Sequence, residues 1–157
     1  GEPGIVIRDH ETGHLVLSTL HAINATQTVE RIINYFPPHQ HELIRLQLSL
    51  VLQGVVSQRL VPLKEGRGRT PALETMINSP TIRELLREGK TPELYNAIKE
   101  GEYYGCQTFN QSLRRLYQAD MITLDDAVSN ADFPDELQME LRGVYKGTVA
   151  SDFNFDY

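Results

Sequence analysis

A chain of 157 residues, 40% hydrophobic and 23% charged, is large enough to bury one core and has the composition of a soluble globular protein. A net charge of −6 without any basic run argues against a nucleic-acid binder, and the single cysteine excludes an internal disulfide framework and fits a reducing compartment. The longest apolar run, residues 48–56, is broken by Ser49, Gln53 and Gly54 and is unsuited to spanning a membrane, and the amino terminus lacks the basic and apolar regions of a signal peptide.

In chain order, residues 5–7 read as a short strand. The continuous apolar run Leu15-Val16-Leu17 predicts a second strand, buried on both faces as in a parallel sheet. Ser18, Thr19 and His21 follow at its carboxyl end. A helix then starts, with Asn24 as N-cap, Gln27 placed to close a capping box, and Val29, Ile32, Ile33 and Phe36 at helical spacing. Hydroxyls and an imidazole thus gather beyond a strand end and beside a helix amino terminus. Open α/β sheets bind ligands there, and unpaired helix N–H groups favour anions such as phosphate. The same residues also read as a hydroxyl-lined turn with a structural histidine, and the local sequence leaves both readings open.

Pro37-Pro38 ends the helix. A second is expected over residues 39–53, with Leu43, Leu46, Leu50 and Val51 on its buried stripe. His39 and His41 stand on different helical faces, and the odd separation of His14 and His21 puts them on opposite faces of a regular strand, so no metal site is expected. Residues 55–63 and 70–77 read as two strands of a hairpin around residues 64–69, whose Arg67 and Arg69 suit a solvated loop tip. From Ser79 onward short capped helices take over. One runs from Pro80 to Glu88 and stops at Gly89; another opens at Thr91-Pro92 and closes near Gly101; Thr108 with Gln111 and Thr123 with Asp126 are further cap pairs. Ile82, Leu85, Leu86, Leu94, Ile98, Phe109, Leu113, Leu116 and Ile122 supply the apolar faces of a small helical bundle. Cys106 reads as a small buried apolar residue rather than a nucleophile. A last helix is expected over residues 134–142. The tail beyond Gly143 lacks a core-forming period and reads as mobile.

Several motifs carry a resemblance. Glu11-Thr12-Gly13-His14-Leu15-Val16-Leu17-Ser18-Thr19-Leu20-His21 resembles the histidine box of the secretion ATPases, in the branch that powers type IV pilus retraction and twitching motility. The likeness continues through residues 29–37 (VERIINYFP), 52–60 (LQGVVSQRL) and 81–88 (TIRELLRE), as far as about Leu124. It implies an α/β fold, the carboxyl-terminal part of a RecA-like ATPase core, followed by a small helical bundle. The expected organisation is a partial core with the histidine box in residues 1–78, a helical subdomain in 79–143, and the tail in 144–157. In the family, the intact enzyme is a homohexamer that hydrolyses ATP with Mg2+. It is cytoplasmic, peripheral at the inner-membrane face, and passes its motion to an inner-membrane pilus platform protein.

Carried over residue by residue, the resemblance gives His21 and Thr19 as catalytic candidates near the γ-phosphate. His14, which begins the strand, fits a structural role equally well. Residues 81–88 are similar to the family motif A-I-R-N-L-I-R-E, tied to retraction rather than to hydrolysis. Thr81, Glu84 and Leu86 stand where that motif has alanine, asparagine and isoleucine, and Arg83 and Arg87 are kept. Ile82, Arg83, Leu85, Leu86, Arg87 and Glu88 are therefore interaction candidates. Read without the family, their outward residues form a solvated face, with Arg83 and Arg87, and Glu84 and Glu88, as like-charge pairs four apart.

The departures matter as well. No G-x-x-x-x-G-K-[ST] phosphate loop occurs in the 157 residues, nor does the family's amino-terminal regulatory domain. The chain corresponds to the carboxyl-terminal half of such an ATPase, and alone is expected neither to bind ATP tightly nor to hydrolyse it. The segment Arg8-Asp9-His10-Glu11-Thr12 shares Glu11-Thr12 with the histidine box, whereas the family separates the two by a helix. Glu2 is displaced from the Walker B position and Glu11 lies on the disturbed edge, so neither is assigned a general-base role. The alternatives are a nucleotide-independent interaction module and a pilus extension or type II secretion ATPase. The latter carry a four-cysteine zinc insertion, against which the single Cys106 argues.

Overall fold

Strand alternation decides the centre of the fold. In the computed structural model, which describes residues 4–8 and 13–143, β3 (Leu52–Pro62) and β4 (Arg69–Ile77) form an antiparallel hairpin, paired from Gly54 opposite Ile77 to Pro62 opposite Arg69. The connecting turn uses Gly66 and Gly68 at positive φ (73° and 89°), conformations that a Cβ disfavours. β1 (Gly4–Arg8) pairs antiparallel with β3 on one side and with β2 (Leu15–Thr19) on the other, giving the order β2-β1-β3-β4. The expected hairpin is therefore present, and its predicted loop is exposed. Glu2, Glu11 and the tail over residues 144–157 lie outside the described residues.

One sheet face carries Val55, Ser57, Val61, Thr70, Ala72, Glu74 and Met76, all buried under helices. Two apolar clusters form there. In the first, α1 (Ala25–Asn34) contributes Ala25, Val29 and Ile33, and α2 (His41–Val51) contributes Leu48. α3 (Pro80–Glu88) adds Ile82 and Leu86 to the same cluster, and α4 (Leu94–Glu100) adds Leu94 and Ile98. In the second, Val61 and Ala72 meet Phe109 and Leu113 of α5 (Phe109–Gln118), Ile122, Ala127 of α6 (Leu124–Ser129) and Leu137 of α7 (Pro134–Leu141). Each fully buried Leu, Ile or Phe contributes about 1.5–3 kcal/mol relative to an exposed one. Cys106 is buried in the first cluster, and burial pushes its thiol pKa up, as suits a packing residue.

The caps follow the sequence closely. Ser79 accepts the Ile82 N–H at 3.3 Å, and Gly89 ends α3 in the left-handed conformation (φ 71°). Thr108 and Gln111 exchange both hydrogen bonds of a capping box, and Thr123 accepts the Asp126 N–H at 3.1 Å.

Two expectations are overturned. β2 is not buried on both faces of a parallel sheet: it is an antiparallel edge strand, all five residues are exposed, and Leu17 is 71% accessible. Its partner β1 lies on one side and no described strand lies on the other, so apolar content did not translate into burial. Likewise α2 does not bury Leu43, Leu46 and Leu50. These are exposed, Leu43 at 56%, while Leu48 and Ser49 are buried, Ile44 is packed against the cluster, and Val51 is only half-buried. Leucines occupy both sides of this helix, so their spacing fitted more than one stripe; the contact with α3 selected the other. Among the described residues, no helix is long and apolar enough to cross a membrane.

Candidate functional site

The turn between β2 and α1 is built by short-range chemistry. Asn24 accepts the Gln27 N–H at 2.9 Å as N-cap, while Gln27 Oε1 reaches back to the Ile23 N–H at 2.8 Å, one residue earlier than in a standard capping box. Arg31, one turn along α1 from Gln27, donates to the His21 carbonyl. Thr19 and His21 stand exposed at this carboxyl end of the strand, and Ser18 lies beside them. His14 is exposed at the opposite end of β2, so the structure brings Thr19 and His21 together and leaves His14 apart. Among the described residues no cluster of His, Cys, Asp or Glu could hold a metal.

A residue that sequence reasoning missed lies beneath this turn. Glu74, in the middle of β4 and 2% exposed, accepts the Ala25 N–H at 2.8 Å and also the Phe109 N–H. These are the first helical amides of α1 and α5, so one carboxylate serves two helix amino termini. Burial pushes its pKa up from an ordinary 4.5 to about 7; the two amides and Arg59 pull it down, and Asp132 adds to the rise. The signal was present in the alternation Thr70, Ala72, Glu74, Met76, which places an acid on the buried face.

Arg59, opposite Ala72 in the sheet register, completes the arrangement. Its guanidinium donates to Asp132 Oδ1 at 2.5 Å, to the Asn130 carbonyl at 2.6 Å and to the Ile23 carbonyl at 3.3 Å, and lies 3.8 Å from the centroid of the Phe109 ring. Five donors in a planar fork permit this; an ammonium has no such geometry.

Three of the first four amides of α1 are already engaged within the chain. The N–H groups of Ala25, Gln27 and Thr28 already donate to Glu74, Asn24 Oδ1 and the Asn24 carbonyl. The phosphate loop that usually cradles a triphosphate with its backbone amides does not occur among the 157 residues.

The second candidate surface is α3. Ile82 and Leu86 are buried, Leu85 is half-buried, and Arg83, Glu84, Arg87 and Glu88 face outward, the division that the sequence implied. Three of these four charges are in opposite-sign pairs: Arg87 meets Glu84 at 2.5 Å and Lys90 meets Glu88 at 2.7 Å. Both pairs are exposed and contribute little stability. An open groove of about 650 Å³ runs between α2 and α3, lined by His39, Glu42, Leu43, Leu46, Arg87 and Glu88. Leu43 and Leu46, two of the leucines that α2 leaves exposed, thus border Arg87 and Glu88 of α3.

Comparison with known proteins places these features in context. Residues 3–131 match the family model described as type II/IV secretion system protein. The chain is 42% identical over 132 residues to the type IV pilus ATPase PilU of Pseudomonas aeruginosa, covering 84% of this chain and 35% of that protein. It is 41% identical over 125 residues to the type IV pilus retraction ATPase PilT of the same organism, covering 80% and 36%. A crystal structure of the pilus retraction motor PilT with bound ADP superposes with a TM-score of 0.72 at 44% identity, covering 82% of this chain and 35% of that one. The chain therefore spans about a third of the length of these relatives.

Proposed function

This chain belongs to the type II/IV secretion system protein family, and from that premise we propose that it works as the carboxyl-terminal part of an ATPase that powers type IV pilus retraction and twitching motility. The observation that carries the reading is 42% identity to a type IV pilus ATPase over 84% of the chain, and the family match over residues 3–131 takes in both the histidine box and α3. In this reading residues 1–78 belong to the ATPase core and residues 79–143 form the helical part that moves with it. The assembly is a homohexamer on the cytoplasmic face of the inner membrane, using ATP and Mg2+ held mainly by residues outside this chain.

Within that enzyme His21 and Thr19 are the residues of this chain that face the nucleotide. An imidazole at a strand end can donate a hydrogen bond to a phosphate and lose it when the phosphate leaves. His14, at the other end of the strand, is given a structural role. In the full-length ATPase carrying this chain, His21→Ala should lower ATP turnover at least tenfold, about 1.4 kcal/mol of transition-state stabilisation, with the sedimentation coefficient unchanged. Loss of soluble protein would instead mark His21 as structural. Unchanged turnover would remove it from the site.

The α3 surface serves docking. Arg83, Arg87 and Glu88 present charge, Ile82, Leu85 and Leu86 seat the helix, and the neighbouring groove offers Leu43 and Leu46. The partner in this reading is a neighbouring subunit or the inner-membrane platform protein. Replacing Arg83 and Arg87 together by alanine should spare ATP turnover within about twofold. Twitching should stop, and motility at normal speed in that variant would sink the docking role.

A further inference from the structure

We propose that Arg59 and Glu74 are positioning residues that clamp the histidine-box turn to the α5–α7 helices across the β3–β4 hairpin, so that turn, hairpin and helices move as one unit. The argument starts from sequence distance. Ile23 and Ala25 lie on the turn and at the start of α1, Arg59 on β3, Glu74 on β4, Phe109 on α5, and Asn130 and Asp132 between α6 and α7. No local geometry brings these segments together, yet two side chains touch all of them.

Arg59 holds the Ile23 carbonyl on one side and Asn130 and Asp132 on the other, with Phe109 stacked on its plane. Glu74 repeats the bridge one layer away, with the first amide of α1 on one side and the first amide of α5 on the other. The loop ahead of α7 is tied to α5 a second time, because Asn110 donates to the Phe133 carbonyl at 2.8 Å and accepts the Phe133 N–H at 3.3 Å. If the turn moved away from the sheet alone, it would break the Ile23 contact of Arg59 and leave a buried carboxylate with one amide. If the helices moved alone, Arg59 would lose three partners. Only motion of both together with the β3–β4 hairpin, which carries Arg59 and Glu74, keeps the set intact. The clamp rests on the proposed function only for its purpose, the passing of a displacement at His21 to the carboxyl-terminal helices; its geometry is independent of nucleotide.

The test is amide hydrogen exchange on the 157-residue chain without nucleotide. Arg59→Lys keeps the charge but loses the fork, and Asp132→Asn keeps the shape but loses the anion. Each should speed exchange about tenfold at residues 23–28 and 109–113 together, while residues 82–86, which share the apolar cluster of Ala25 but bond neither Arg59 nor Glu74, keep the parental rate. The double variant should exchange no faster than the faster single one, because both substitutions open the same clamp. Acceleration confined to residues 130–133 would overturn the proposal. So would acceleration spread evenly over the chain, including residues 82–86, since that is the mark of general destabilisation. Turnover by the full-length enzyme tests the ATPase reading separately, so failure of one is distinguishable from failure of the other.

Discussion

Phe109→Ala should lower the unfolding free energy by about 3–5 kcal/mol, the range for a large ring removed from a packed core. Phe109 is completely buried in the cluster with Val61, Ala72, Leu113, Ile122, Ala127 and Leu137. It does more than fill space. Its ring supports the Arg59 guanidinium at 3.8 Å, an interaction that contributes about 0.5–2 kcal/mol depending on how far it is desolvated. Its backbone N–H, which the substitution leaves in place, still donates to Glu74. Phe109→Leu is the informative control, because it restores most of the volume but not the flat aromatic face. It should recover more than half of the loss, and the remainder reports the stacking. Urea unfolding of both variants, compared at equal slope, reads the two contributions. A loss below about 1 kcal/mol for the alanine variant would show that the cluster closes over the gap and that Phe109 does not anchor it.

Much of the fold was legible because its signals are local. The β3–β4 hairpin follows from alternation and a glycine-rich turn, and the starts of α1, α3, α5 and α6 follow from Asn24, Ser79, Thr108 and Thr123 as N-caps. What was misread turned on which neighbour a face meets. The apolar run of β2 and the leucines of α2 state that these residues are greasy, not which side the rest of the chain covers. The charges of α3 show the same limit on a smaller scale. The spacing of four paired like with like, but the side chains chose Arg87 with Glu84 at a spacing of three.

The candidate site divides in the same way. Thr19 and His21 were legible from a motif and from their place at a strand end. The residues that hold their turn were not, because the partners are remote in sequence. Ala25 and Glu74 are 49 positions apart, and Arg59 and Asp132 are 73 apart. Only the inward register of β4 hinted that an acid was buried, and nothing local indicated that two helices would end on it.

Removing the charge of Glu74 should change how stability responds to pH. Burial raises the carboxyl from an ordinary 4.5 to about 7 in the folded chain. Below about pH 4.5 both folded and unfolded chains hold the proton, and Glu74 gives no slope. Between 4.5 and 7 the unfolded chain has released its proton and the folded chain has not, so unfolding releases a proton and stability falls as pH rises. Above about 7 both states are ionised and the contribution levels off. The full span of that fall has an upper limit of about 3.5 kcal/mol, from roughly 1.4 kcal/mol per pK unit over about 2.5 units. Glu74→Gln has the same shape but no titration, so the parental stability minus that of the variant should decline across this window and then stay constant. Histidines and other carboxyls titrate in both proteins, and the subtraction removes them. Urea unfolding at pH 4.5, 6, 7 and 8 is sufficient. A difference that does not vary with pH would mean that Glu74 keeps an ordinary pKa. A difference that grows with pH would mean that the two helix amino termini and Arg59 outweigh burial and hold the carboxylate ionised.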